Sequence, residues 1–378
     1  MDEQVIALTR WWSWRRQRLD RSCRGIDDCL HSVVGIPGVN PSAPLSLLAR
    51  VPRLMQGMYE GAIEGRVALR LPAMRRRPHI LHGETAHLVY HACRGPGPAR
   101  SAPRRNSNGT GAAGESTLRQ IRGEVLRAAR NPKTADELRD TVKGAPERFV
   151  PLLKQMTADG MLLRMRSDSV WSNEFRYVAT RGWLGHALPP AEPDDALIWL
   201  AGEYVTTFGP ATVEDFAWWA GIDIERADEA LSAHDLADVG YGMKMSRKDA
   251  RALDLARPVA GRVNLLPALD PYTMGYTGDS RRRFADDDRV LAAMYDANGN
   301  SGNVVLIEGQ VGGLWDLQHA KTGAVEMRIG LFDDPGPKVW AAIQSEATLI
   351  AGFLDARDFK VVRAKVRLPA ARPPAKKR

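Results

Sequence analysis

Cysteine is scarce in this chain: three residues in 378 (Cys23, Cys29, Cys93), an odd number with no C-x-x-C pair. That excludes a disulfide framework and a zinc ribbon, and it fits a reducing cytoplasm. No apolar stretch approaches the ~18–20 residues that a bilayer-spanning helix needs, so no membrane span is expected. The opening residues, MDEQVIALTRWWSWRRQ, put acids, Trp and Arg where a secretory leader would be apolar, which again points to the cytoplasm. Common catalytic patterns are missing as well. There is no G-x-S-x-G, no H-E-x-x-H, no P-loop, and no G-x-G-x-x-G between a strand and a helix. Gly61–Gly65 is too short to cradle a phosphate, and no cofactor is expected. His79, His82, His87 and His91 cluster, with His87 and His91 one helical turn apart. No nearby Cys or carboxylate completes a ligand set, so no metal is expected. Asp286-Asp287-Asp288 reads as a solvated acidic turn.

Lysine is absent from residues 1–94, which carry fourteen arginines against eight acids. The whole chain has a formal charge of +8, compatible with a polyanionic partner. Residues 95–117 contain no Leu, Ile, Val, Met or aromatic side chain and so cannot bury enough apolar area to offset their ordering entropy; they read as a flexible linker. A second break falls at the proline-rich stretch Ala187–Pro193. After Phe359 come eight Lys/Arg and no acid, ending in a basic tail over 368–378. The tail is either a solvated solubility feature or an arm that contacts phosphates.

Between the breaks lies an internal repeat. Asn131-Pro132-Lys133-Thr134-Ala135-Asp136-Glu137-Leu138 returns 78 residues later as Gly209-Pro210-Ala211-Thr212-Val213-Glu214-Asp215-Phe216. Each copy has Thr followed three residues on by an acid, the capping box that opens a helix. Each is preceded by an apolar stripe of helical period. In the first copy a third short helix follows, with Phe149, Leu152, Leu153 and Met156 inward, then strands over Met161–Arg166 and Phe175–Thr180. Helix, capped helix, helix, hairpin is the order of a winged helix, whose third helix enters the major groove while the wing flanks it. The expected fold is therefore α+β. An N-terminal Arg-rich helical region (1–94) and the linker (95–117) precede winged helices at 118–188 and 193–260. A β-rich, winged-helix-like unit with a hairpin and a helix closes the fold at 261–367. Lys154, Arg164, Arg166 and Arg176 sit on the first recognition helix and wing, and Lys244 on the second wing. Arg75-Arg76-Arg77 reads either as a solvated turn or as part of a basic DNA-facing surface. Trp218 and Trp219, at helical spacing beside Phe216, read as core.

The run Tyr204–Gly221, the stretch Leu265–Tyr272 with Gly275-Tyr276, and Val304–Gly309 through Gly313-Leu314-Trp315 resemble the bacterial winged-helix DNA-binding-domain family that includes the AlkZ-like DNA glycosylases. Trp14–Gln17, Val33–Ile36, Pro41–Pro44 and Ala73–Arg75 with His79 fit the same pattern. The resemblance implies tandem winged helices around duplex DNA, and an activity that unhooks crosslinks or removes alkylated bases. The family's glycosylases position water with a short Gln-x-Gln or Gln-x-Asp motif. Laid on Gly35-Ile36, those two positions fall on Pro37 and Val39, whose side chains can neither orient water nor accept a hydrogen bond. Asn40 is one residue late; beside Pro41 it is confined to extended conformations.

The resulting expectation is a monomeric, cytoplasmic protein that binds double-stranded DNA and is related to DNA repair, with the catalytic Gln motif missing. The alternatives are an active glycosylase, in which Asn40, His79 or Asp270 would supply polar chemistry, and a regulatory or protein-interaction module.

Overall fold

In the computed structural model, which describes residues 3–94, 112–165, 171–172, 174–254, 262–319, 324–366 and 368, the 78-residue repeat appears as two copies of one architecture. The chain begins with α1 (Glu3–Arg16), α2 (Ile26–Val33), β1 (Ile36–Pro37), α3 (Pro44–Leu48), α4 (Gln56–Glu64), β2 (Ala68–Pro72), β3 (Pro78–His82) and α5 (Ala86–Ala92). The middle winged helix follows as α6 (Ala112–Ala128), α7 (Ala135–Thr141), α8 (Phe149–Ala158), β4 (Leu162–Met165) and β5 (Arg176–Ala179), with α9 (Thr180–Leu184) behind it. The inner winged helix is α10 (Pro193–Phe208), α11 (Val213–Ala220), α12 (Ile224–Ser232), β6 (Leu236–Asp238) and β7 (Lys244–Ser246), extended by α13 (Arg247–Asp254). Both capping boxes form. Thr134 and Glu137 exchange bonds at the start of α7, and Thr212 and Asp215 do so at the start of α11. The residue before each capping threonine also pairs with the last wing strand: Lys133 with Tyr177, and Ala211 with Lys244.

The N-terminal region, expected to be helical, departs from that expectation. Its strands form a three-stranded antiparallel sheet in the order β1-β3-β2, and the elements α2, β1, α3, α4, β2, β3 repeat the winged-helix order once more. Two things hid it. The first strand is two residues long, and α3 opens on Pro44 with no side-chain cap, so no Thr-x-x-Glu marks the turn. The Arg75–Arg77 run lies at the tip of this N-terminal wing. The linker is also shorter than expected, because α6 is already helical from Ala112. Residues 95–111, Arg166 and the tail at 369–378 lie outside the described residues.

The C-terminal unit contains the expected hairpin and helix, but not as a two-stranded wing. After β8 (Val263–Leu266), α14 (Pro271–Met274) and α15 (Asp288–Met294) come β9 (Val304–Ile307), β10 (Gln310–His319), β11 (Val325–Leu331), α16 (Gly336–Phe353) and β12 (Phe359–Arg363). They make a five-stranded sheet in the order β12-β11-β10-β9-β8, antiparallel except for the parallel β11–β12 pair that α16 connects. Ile343, Ala347, Ile350 and Phe353 of α16 bury against the N-terminal module's Leu45, Leu47, Leu48 and Tyr59 in one apolar cluster.

A buried ion pair joins these two parts. Arg50 donates to both carboxylate oxygens of Asp270, at 2.8 and 2.7 Å, and to the carbonyls of Gln17 and Ser46. Neither side chain of the pair is exposed. Desolvating two charges is costly, and here every guanidinium branch is bonded, which offsets that cost. Asp270 also caps α14 by accepting from the Tyr272 amide. Among the described residues no helix is long and apolar enough to cross a membrane.

Candidate nucleic-acid interface

The N-terminal wing is held on both flanks by the other two winged helices. Strand β2 runs beside β4 and α8 of the middle module, while the 3-10 turn at Met74–Arg76 meets α11 of the inner one. The approach to α11 is close. A Cβ added at Gly221, whose φ is +77°, would lie 2.7 Å from the Arg75 Cα, so only glycine fits this helix end. Arg75 and Arg76 both have positive φ (54° and 56°), backbone strain that the surrounding packing holds in place.

This lodging divides the three arginines. Arg75 lies over Trp218 at 4.4 Å, with Arg281 at 5.0 Å from the same ring. Burial and the neighbouring Arg77 and Arg281 charges lower its pKa. Arg77 donates to the Asn300 side chain at 2.7 Å. Arg76 faces the middle module instead. It lines a cleft of about 590 Å³ together with Arg94, Lys154 and Arg164, and among the described residues Asp159 is the single carboxylate on that wall. Three residues expected to contact DNA, Arg76, Lys154 and Arg164, are thus brought together from two different modules. Trp219 is core, as expected, packed at tilted angles among Tyr204, Phe208 and Phe216. Trp218 is half-buried and clamped between two guanidinium groups.

The other expected contacts are placed differently. Arg176 reaches the capping Glu137 of its own module at 3.3 Å. Lys244 lies 3.4 Å from Asp228 on α12. That third helix exposes Glu225, Asp228 and Glu229, an acidic face that a phosphate backbone would repel.

At the floor of the cleft, Arg164 stacks on Phe175 with its guanidinium carbon 3.7 Å from the ring centroid, and Arg70 covers the same ring at 5.4 Å. Neither arginine makes an ion pair with a carboxylate among the described residues. Burial, and Arg70 nearby, lower the Arg164 pKa. Arg70 also reaches the motif position: an added Cβ on Gly38 would sit 3.3 Å from the Arg70 Nε and 3.4 Å from the Pro78 carbonyl. The Gly38 amide donates to that carbonyl at 2.7 Å. Pro37 therefore ends the edge strand β1, and Gly38 just after it lies beside the Arg70 guanidinium. The sequence singled out Arg164 but missed Arg70 and Phe175, which lie far apart in the chain and join only when β2 meets the middle wing.

The polar residues nearest the motif are constrained too. His79 is buried, and desolvation lowers its pKa to about 4 while its Nδ1–H donates to the Arg77 carbonyl. It is a neutral ring at physiological pH. Burial pushes the Cys93 thiol in the cleft wall up to about 12, so it is no thiolate nucleophile. Asp270 is fully buried against Arg50. Asn40 is half-buried, and its carbonyl accepts from the Ala43 amide in the turn before α3.

Residues 32–353 match the family model of AlkZ-like DNA glycosylases. A curated relative, the interstrand DNA cross-link repair glycosylase of Streptomyces sahachiroi, is 25% identical over 254 residues, 58% of this chain. The match spans 66% of that relative's length. The solved structure of the Streptomyces sahachiroi DNA glycosylase AlkZ superposes with a TM-score of 0.69 over 95% of this chain and 99% of that one, at 19% identity, a likeness of fold.

Proposed function

The chain belongs to the AlkZ-like DNA glycosylase family, a family of DNA repair, and from that premise we propose that it grips duplex DNA in the cleft between its N-terminal and middle winged helices without excising a base. The observation that carries the reading is the cleft itself, where Arg76, Arg94, Lys154 and Arg164 face a single carboxylate among the described residues. Cations gathered this way neutralise successive phosphates and release counterions, which makes affinity fall steeply with salt.

The charge at the motif position opposes the chemistry. Hydrolysis of an N-glycosidic bond builds positive charge on the deoxyribose, and a site that lowers the barrier supplies an acceptor or a carboxylate there. Beside Gly38 the Arg70 guanidinium lies 3.3 Å from where a Cβ would stand. Positive charge developing there would meet a like charge at close range, which raises the barrier. The rival reading is an active glycosylase working through Asn40, a half-buried polar side chain one residue past the motif.

Incubating the purified protein with alkylated and undamaged duplex, while measuring retention and abasic-site formation together, separates the two. The expected result is retention of both duplexes with abasic sites at the protein-free background. Time-dependent release of alkylated base would overturn the proposal; loss of that release in Asn40→Ala, with binding unchanged, would name the residue.

A further inference from the structure

At the end of β3 away from the cleft, two histidines and an aspartate converge. Asp27 and His31 are one turn apart on α2, and His82 closes β3 beside them. One donor atom from each lies within 4.8 Å of the other two. His82 Nε2 is 2.9 Å from the Asp27 carboxylate, and the His31 and His82 rings stack at 3.7 Å between centroids. His31 Nε2 is 3.8 Å from Glu84. His31 also forms part of the wall of a cavity of about 610 Å³ lined by Asp20 and Glu203 together with Arg15, Arg16 and Arg18. No Lys or Arg pairs with Asp27, Glu84 or Glu203 among the described residues.

We propose that Asp27, His31 and His82 bind a divalent first-row transition ion, with Glu84 or Glu203 free to complete the shell. Two imidazoles and a carboxylate suit zinc or cobalt far better than magnesium or calcium, which take oxygen ligands. Zinc bonds of about 2.0–2.1 Å place tetrahedral ligands roughly 3.3 Å apart, so the donors must close by up to about 1.5 Å. The burial pattern permits this. His82 is 4% exposed and held in place, while His31 and Asp27 are 44% and 69% exposed and can swing. In the metal-free protein His82 carries its proton on Nε2 and donates it to Asp27, since its Nδ1 accepts from the Glu84 amide at 3.3 Å. On metal binding that proton moves to Nδ1, and the long amide contact opens. The carboxylates around the two rings are then offset by the dication.

The test is titration of chelator-treated full-length protein with Zn²⁺ by calorimetry, with Co²⁺ as a spectroscopic probe. One ion per chain should bind, with visible cobalt bands and a rise in Tm. Asp27→Asn and His31→Ala, both at exposed positions that leave the core intact, should each weaken binding at least ~10-fold. The His87→Ala/His91→Ala variant, altered on α5, should bind as wild type. No binding by wild type, or equal binding by Asp27→Asn and His31→Ala, would overturn the site. Loss in the α5 variant would move it to the helix histidines and overturn it equally. The cleft cations are unchanged in all these proteins, so failure here leaves the DNA reading standing, and failure of DNA binding leaves this one.

Discussion

The middle and inner winged helices share a repeat, a capping box and a strand pairing, yet they have been put to different uses. The middle module keeps its own apolar core, built around Val125, Leu138, Phe149, Leu153 and Met156. Its third helix carries an exposed lysine toward the cleft. In the inner module the core residues Leu200, Tyr204, Phe208, Phe216 and Trp219 belong to a larger cluster reaching the N-terminal module and the five-stranded sheet. Its capping acid has been recruited as well. Asp215 accepts from the Thr277 amide at 2.7 Å and the Ser280 hydroxyl at 2.6 Å, besides its own helix start. Three of its basic side chains are matched to acids, Arg226 to Asp194, Lys244 to Asp228 and Arg247 to Asp235, while Lys248 and Arg251 are exposed on α13. One copy is built into the larger core, and the other turns its cations to the cleft. Repetition of a fold therefore does not imply repetition of its surface.

The largest test of that contrast is a matched pair of capping substitutions. Asp215→Ala removes a cap worth ~1 kcal/mol and leaves buried Ser280 and the Thr277 amide without their acceptor, at about 1–3 kcal/mol each. Denaturant unfolding should show a loss of about 4 kcal/mol. Glu137→Ala in the middle module loses the cap, about 1 kcal/mol, and the part-exposed Arg176 pair, about 0–1 kcal/mol. Equal losses would mean that the inner copy is no more embedded than the middle one.

The second test concerns the N-terminal wing lodged between the two. His79 is neutral and buried with a pKa of about 4, whereas an unfolded chain binds that proton near 6.5. The unfolded state therefore holds more protons between those values, so stability is complete above pH 6.5 and declines as pH falls toward 4. The decline attributable to this group is about 3 kcal/mol. Unfolding measured from pH 7 to pH 4 should show the slope, and His79→Gln should flatten it. An unchanged slope in that variant would assign the acid sensitivity to other groups.

Much of this was legible in the chain. The 78-residue repeat with its Thr-x-x-acid pattern announced two winged helices because capping is a local device, written within four residues. The hairpin and the helix of the C-terminal unit were legible because each is likewise written in a short local stretch. The N-terminal winged helix was not, since a two-residue strand has no period and Ala43 offers no cap. The cleft was half legible. Arg76, Lys154 and Arg164 could be named as exposed cations, but Arg70 and Phe175 acquire meaning only through the contact of β2 with β4. The Asp27–His31–His82 cluster was missed because the histidine run drew attention to its near neighbours, while its carboxylate lies fifty-five residues upstream of His82.

The contrast predicts unequal DNA phenotypes. Arg76→Ala/Lys154→Ala/Arg164→Ala should weaken duplex binding on the order of 100-fold at low salt, and flatten the salt dependence by about 0.9 per lost phosphate contact. Fluorescence anisotropy across a NaCl series reads both. A wild-type profile flat in salt would remove the electrostatic reading altogether.

The smallest effect is expected at Lys244. Its ammonium lies 3.4 Å from Asp228, with Glu225 and Glu229 exposed on the same helix. To meet a phosphate it would have to leave a carboxylate and bring two more toward the duplex, so little net attraction remains for substitution to remove. Lys244→Ala should change affinity less than about twofold, with an unchanged salt slope. Exchanging Glu225 and Glu229 for Gln should raise affinity slightly by relieving repulsion. A tenfold loss in Lys244→Ala would show that the inner wing grips DNA as the middle one does, and the division of labour between the two copies would fall.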